Sequence, residues 1–133
     1  MAGGGSHFFQ NNKNKPLFTF GTTLPCDITS SRPQRLEVNW DTSSFHLESL
    51  TAVSCSSAGA PNPPAAAFNT LTGTGIGRYN GVSGGATATF TFVDNGEPGT
   101  SDTVTLTITP INGLPVLSYP TPVNFNGNLQ ALP

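Results

Sequence analysis

Apolar and hydroxyl side chains alternate through most of residues 85–109, GATATFTFVDNGEPGTSDTVTLTIT, and that alternation constrains the backbone more than any other feature of the chain. Ala86, Ala88, Phe90 and Phe92 fall on one parity, and Thr87, Thr89, Thr91 and Val93 on the other. Val104, Leu106 and Ile108 then alternate with Thr103, Thr105, Thr107 and Thr109. A period of two puts each set on one face of a pleated strand, and a helix would need apolar spacings of three and four. β-Branched and aromatic residues fill both arms, as half-buried sheet surfaces prefer. Two strands joined by one loop follow.

The loop between them reads Asp94-Asn95-Gly96-Glu97-Pro98-Gly99-Thr100-Ser101-Asp102. Asn95-Gly96 tolerates positive φ, and Pro98-Gly99 suits the central positions of a type II turn. Two turns in one loop predict a folded excursion rather than a tight hairpin. Its three carboxylates, Asp94, Glu97 and Asp102, have two readings. In one they hold the loop by accepting bonds from backbone N–H groups. In the other they are ligands of a Ca²⁺ ion, a hard cation that takes several oxygen donors. Their spacing is not that of an EF-hand.

The rest of the chain carries the same period. Leu17-Phe18-Thr19-Phe20 predicts a strand ending at Gly21. Leu36, Val38 and Trp40 alternate with polar residues, and Asp41–Ser44 forms a turn. Phe45 and Leu47 point inward, leaving His46 outward beside Glu48 as a solvated side chain. The phase changes between Leu50 and Cys55, which predicts a bulge. Residues 56–67, SSAGAPNPPAAA, read as an exposed proline-stiffened loop. Gly73, Gly75 and Gly77 interrupt the next strand and predict a bulge or a close approach to its backbone. Asn80-Gly81 is a strong hairpin signal. Gly81-Val82-Ser83-Gly84-Gly85 matches the G-x-S-x-G pattern of hydrolases, but that nucleophile sits on an elbow leading into a helix, and a strand follows here. Pro115, Pro120 and Pro122 restrict Val116–Tyr119 to an edge strand, and Asn128–Leu132 is a candidate last strand.

Seven to nine short strands predict an all-β fold, an antiparallel sandwich of Ig-like or jelly-roll-like kind or a compact barrel, without significant helix. Residues 1–16 read as an N-terminal arm or edge strand and 17–133 as one domain. The expected core is Phe18, Phe20, Leu36, Val38, Trp40, Phe90, Phe92, Val104, Leu106 and Ile108. Met1–Ser6 has neither the basic region nor the apolar core of a signal peptide, and Gly3–Ser6 reads as a linker or as native sequence. No apolar run reaches the ~18 residues of a membrane span.

Charged residues make up only 9% of the chain and the net charge is −2. Lys13, Lys15, Arg32, Arg35 and Arg78 are scattered, which argues against a nucleic-acid partner. Little charge opposes self-association. Cys26 and Cys55 are read as a disulfide, which implies an oxidising compartment; the alternative is two buried thiols. A catalytic cysteine would need an activating histidine, and only His46 is a candidate.

Phe90-Thr91-Phe92 followed by Asp94-Asn95-Gly96-Glu97-Pro98-Gly99-x-x-Asp102-Thr103 resembles the signature of the post-COAP-1 type β-domains of secreted and cell-surface bacterial proteins. The segments Gly73–Val82, Phe18–Gly21 and Gly127–Ala131 are similar to the family's strands before and around that loop. Cys26 and the Pro-Ala insert at 61–67 depart from it. The resemblance implies an extracellular β-rich accessory module and carries no enzymatic activity.

Three functions are therefore expected, in this order. The first is a non-catalytic extracellular module, structural, adhesive or ligand-binding. The second is a self-assembling subunit of an extracellular filament, in which the apolar segments His7–Gln10 and Leu129–Leu132 add strands to a neighbour. The third is an enzyme fragment with its site on the 94–102 loop. No cofactor is expected apart from Ca²⁺ on Asp94, Glu97 and Asp102. The expected partners are other copies or neighbouring domains of a surface protein.

Overall fold

The computed structural model describes residues 1–8, 16–57, 69–95 and 102–131. They form nine strands: β1 (Ala2–Phe8), β2 (Pro16–Thr23), β3 (Arg35–Trp40), β4 (Ser43–Ser56), β5 (Thr70–Tyr79), β6 (Val82–Val93), β7 (Thr103–Pro110), β8 (Leu117–Asn124) and β9 (Asn126–Gln130). Every pairing is antiparallel, in the order β8-β7-β6-β5-β4-β3-β2-β1-β9. The first and last strands in that order, β8 and β9, are consecutive in the chain and separated only by Phe125. The two ends of the sheet therefore meet, and the sheet is a nearly closed barrel. The all-β expectation holds in its barrel form, and no helix occurs among the described residues.

Alternation decides what fills the barrel. In β6, Ala86, Ala88, Phe90 and Phe92 are fully buried, and Val104, Leu106 and Ile108 of β7 lie beside them. The expected core residues are all buried. Phe20 of β2 stacks on Phe92 of β6 with ring centroids 5.5 Å apart, and Phe125 meets Phe20 edge-on at 5.0 Å. Rings from strands distant in the sheet thus touch across the interior, which only a curled sheet permits. Phe45, Leu71, Leu129 and Ala131 also belong to the core, as do Met1, Leu24, Leu50 and Leu117.

The glycines of β5 face inward. A Cβ on Gly73 would come within 2.8 Å of the Phe90 ring, and one on Gly77 within 2.6 Å of the Phe45 ring. The close approach expected at this strand is that of two aromatic rings over bare backbone. The bulge expected between Leu50 and Cys55 is a register shift at Leu50/Ala52, and a second shift falls earlier, at Leu47/Ser49. Asn80 and Gly81, with φ of 48° and 86°, form the β5–β6 turn, and two consecutive positive φ values match a hairpin of type I′.

β1 includes Gly3–Gly5, and it pairs with β2 on one side and β9 on the other. Of residues 1–16, read as an arm or edge strand, Ala2–Ser6 thus lie between two neighbours, and residues 9–15 lie outside the described residues. Glycine is required here. Gly3 and Gly127 have φ of 143° and 151°, and a Cβ on Gly127 would sit 2.7 Å from the Cα of Gly5. Among the described residues β8 pairs only with β7, as its prolines predict, and Pro120–Pro122 lie where the register shifts between Val104/Leu106.

Cys26 and Cys55 form a disulfide with Cα atoms 5.5 Å apart. It ties the loop after β2 to the end of β4.

Candidate functional site: the closing seam

The ladder between β7 and β8 ends at Thr103 and Asn124. The chain continues past the start of β7 as β9, and there no strand runs along its β7 side in the described sheet. Two carboxylates take that role. Asp102 Oδ2 accepts a bond from the Leu129 amide at 2.8 Å, and Asp94 Oδ2 accepts one from the Ala131 amide at 2.9 Å. Asp102 Oδ1 accepts from the Asn95 amide at 2.8 Å, and its carbonyl accepts from Asn124 Nδ2 at 3.3 Å. Buried backbone donors need acceptors, and these side chains supply what a tenth strand would.

The local sequence explains the placement. Asp94 follows buried Phe92 by two residues, and Asp102 precedes buried Val104 by two, so both inherit the inward parity. Asn69 precedes Leu71 in the same way, and its carbonyl accepts from the Asp94 amide at 2.8 Å. Asn69, Asp94 and Asp102 form a row at one end of the barrel, with exposures of 2%, 6% and 0%. Of the three acids read as a loop clasp or Ca²⁺ ligands, Asp94 and Asp102 are brought together. Glu97 lies outside the described residues. Among the described residues, the Leu129 and Asn95 amides donate to Asp102 and the Ala131 amide to Asp94, bonds of the kind the first reading invokes.

The seam is also closed further along β8. His7 Nδ1 lies 2.8 Å from the Asn124 carbonyl and donates to it. The His7 ring packs against Phe18 and Tyr119, with centroids 5.4 and 5.3 Å away. Burial raises the pKa of the Tyr119 hydroxyl above its ordinary value.

Two polar clusters lie elsewhere. On the outer wall, Glu48 accepts from the Ser83 hydroxyl and the Gly84 amide, each at 2.7 Å. These bonds, the hydroxyl first, hold its pKa below the ordinary value, with Arg78 3.9 Å away adding to the effect. Ser83, the centre of the hydrolase-like pattern, is thus bonded to a carboxylate on a strand. His46 faces outward as expected, and its Nδ1 lies 3.3 Å from the Glu37 carboxylate across the β3–β4 ladder. Near the disulfide, a cavity of about 290 Å³ is lined by Met1, Leu24, Cys26, Asp27 and Arg32 among others. The Met1 amine donates to the Leu24 carbonyl there, and burial followed by the Arg32 charge lowers its pKa.

The register also assembles a threonine wall. Thr72, Thr91 and Thr105 stand in one row across β5, β6 and β7, and Thr74, Thr89 and Thr107 in the next. Composition shows the threonines, but their assembly into rows depends on the pairing.

Fold and seam together define an antiparallel β-barrel module stapled by one disulfide. The chain matches no family model, no curated protein and no solved structure.

Proposed function

We propose that the chain is a non-catalytic extracellular β-domain that serves as a structural, adhesive or binding module of a secreted or cell-surface protein. The observation that carries this reading is the outer wall of β5–β7, where, away from Arg78 at the end of β5, two rows of threonine present methyls and hydroxyls. Such a wall stays wetted through its hydroxyls and suits contact with uncharged, hydroxyl-rich surfaces. The Cys26–Cys55 disulfide is compatible with an oxidising compartment. The resemblance of residues 90–103 to the post-COAP-1 type domains points the same way.

Thiol titration of the protein from its native source tests the compartment. No reactive thiol is expected under denaturing conditions, and two would overturn the extracellular assignment. A panel of esterase and glycosidase substrates tests the rest. Turnover abolished by Ser83→Ala, or by Asp94→Asn with Asp102→Asn in a folded protein, would show that the module is an enzyme.

A further inference from the structure

We propose that β9 is an exchangeable strand, and that the slot it fills accepts β9 of a second copy of this chain. Among the described residues, β9 has one strand neighbour, β1, through five register pairs from Ala2↔Gln130 to Ser6↔Asn126. Its other side is held by Asp102 and Asp94. Those carboxylates bind backbone amides, so they recognise an extended strand wherever it originates. Side-chain selection comes from Phe125, Leu129 and Ala131, which share one parity and are 6%, 0% and 1% exposed. Gly127, on the same parity, fits the close approach to Gly5, where any larger residue meets backbone. A matching occupant therefore repeats F-x-G-x-L-x-A, and the segment that does so is this chain's own Phe125–Ala131.

The joint favours exchange. A single residue, Phe125, separates β8, which pairs with β7, from β9, which pairs with β1. Rotation about that residue would carry β9 out of its own barrel while β8 stays in place, and every bond lost in one molecule is regained in its partner. The net charge of −2 opposes the approach of two copies weakly. Of the segments His7–Gln10 and Leu129–Leu132 expected to add strands to a neighbour, the described His7, Phe8, Leu129 and Gln130 are paired within the sheet, and exchange uses that same pairing between copies. In one molecule the strand competes at an effective concentration of roughly millimolar order, so exchange appears as the protein approaches that concentration.

Ser6 and Asn126 face each other in the β1–β9 ladder and supply the test. Full-length Ser6→Cys protein is incubated at high concentration under mild oxidation with mass-tagged Asn126→Cys protein. The expected result is a disulfide-linked heterodimer, formed several-fold more than when the tagged partner carries Asn112→Cys in the exposed β7–β8 turn. Adding Asp102→Ala to both chains should speed its formation, because the clamp no longer holds the resident strand. Both cysteines on one chain should close within the monomer and abolish the heterodimer. Light scattering of the unaltered chain gives a reading free of substitutions, with dimers expected as the concentration rises toward ~1 mM. Heterodimer no greater than the Asn112→Cys control, or monomer throughout in light scattering, would overturn the proposal.

Discussion

Asp102 is a fully buried carboxyl group, and its bonds explain why it is tolerated there. It accepts the Asn95 and Leu129 amides, so its charge is solvated by backbone donors. Replacing it with alanine removes an ionic acceptor and leaves those buried donors without this partner, which costs about 3 kcal/mol. Urea denaturation of Asp102→Ala should show that loss. Millimolar Ca²⁺ should leave the midpoint of the unaltered chain unchanged, and a Ca²⁺-dependent rise absent from Asp102→Ala would make the aspartate a ligand instead. The sequence made the loop acids visible as a group. It did not show what they hold, because Leu129 and Ala131 lie 27 and 37 residues further on. Glu48 carries the same lesson, since its donors Ser83 and Gly84 come from a strand 35 and 36 residues away. Its pKa is lowered in the folded state, so its contribution to stability is present above the ordinary glutamate range. That contribution is lost as pH falls through the depressed value. Ser83→Ala should move the Glu48 titration, followed by NMR of the side-chain carboxyl, upward toward the ordinary value, because the larger of the two hydrogen-bond causes is gone.

Strands were legible where one face is apolar and the other polar, threonine in β6 and β7 and Arg35, Glu37 and Asn39 in β3, and the buried residues of all three alternate without a break. Legibility failed where glycine does the structural work. Nothing in Ala2–Ser6 advertises a strand, because glycine disfavours sheet and supplies no pattern. Its reason for being there is tertiary, the close passage of β9 and β2 on either side. The inward glycines of β5 are a readable version of the same device, and they make a contrasting pair of substitutions. Gly77→Ala inserts a methyl against the Phe45 ring and the His46 carbonyl, so overpacking should destabilise by about 1–3 kcal/mol. Gly21→Ala in β2 meets no atom within 4 Å, and its effect should stay within about 0.5 kcal/mol. Thermal or urea unfolding of both variants separates a packing requirement from a general dislike of alanine in these strands. Equal losses would mean that the rings over β5 do not fix the glycines.

The whole molecule is a sheet whose seam differs in kind from its body. β6 is paired along most of its length on both sides, to β5 and to β7, and its inward residues are fully buried. β9 is paired on one side, through five residues, and is clamped on the other by side chains. Local opening draws on regions with few buried backbone partners, so the seam should open well below the free energy of global unfolding. Native-state hydrogen exchange measures this directly. Amides of Phe90 and Phe92 should exchange only through global unfolding, and their rates should track denaturant with the full slope of the unfolding transition. The Leu129 and Ala131 amides should exchange faster by on the order of a hundredfold, with a denaturant slope below that of global unfolding, because opening the seam exposes only the face that β9 buries. Asp102→Ala should accelerate Leu129 further while leaving Phe90 and Phe92 shifted only by the change in global stability. Barrel body and closing strand would then be separate cooperative units, the condition under which a strand leaves its own barrel without unfolding it. Equal rates at Leu129 and Phe90 would mean that the seam opens only with the whole barrel, and β9 would then exchange between molecules only through the unfolded chain.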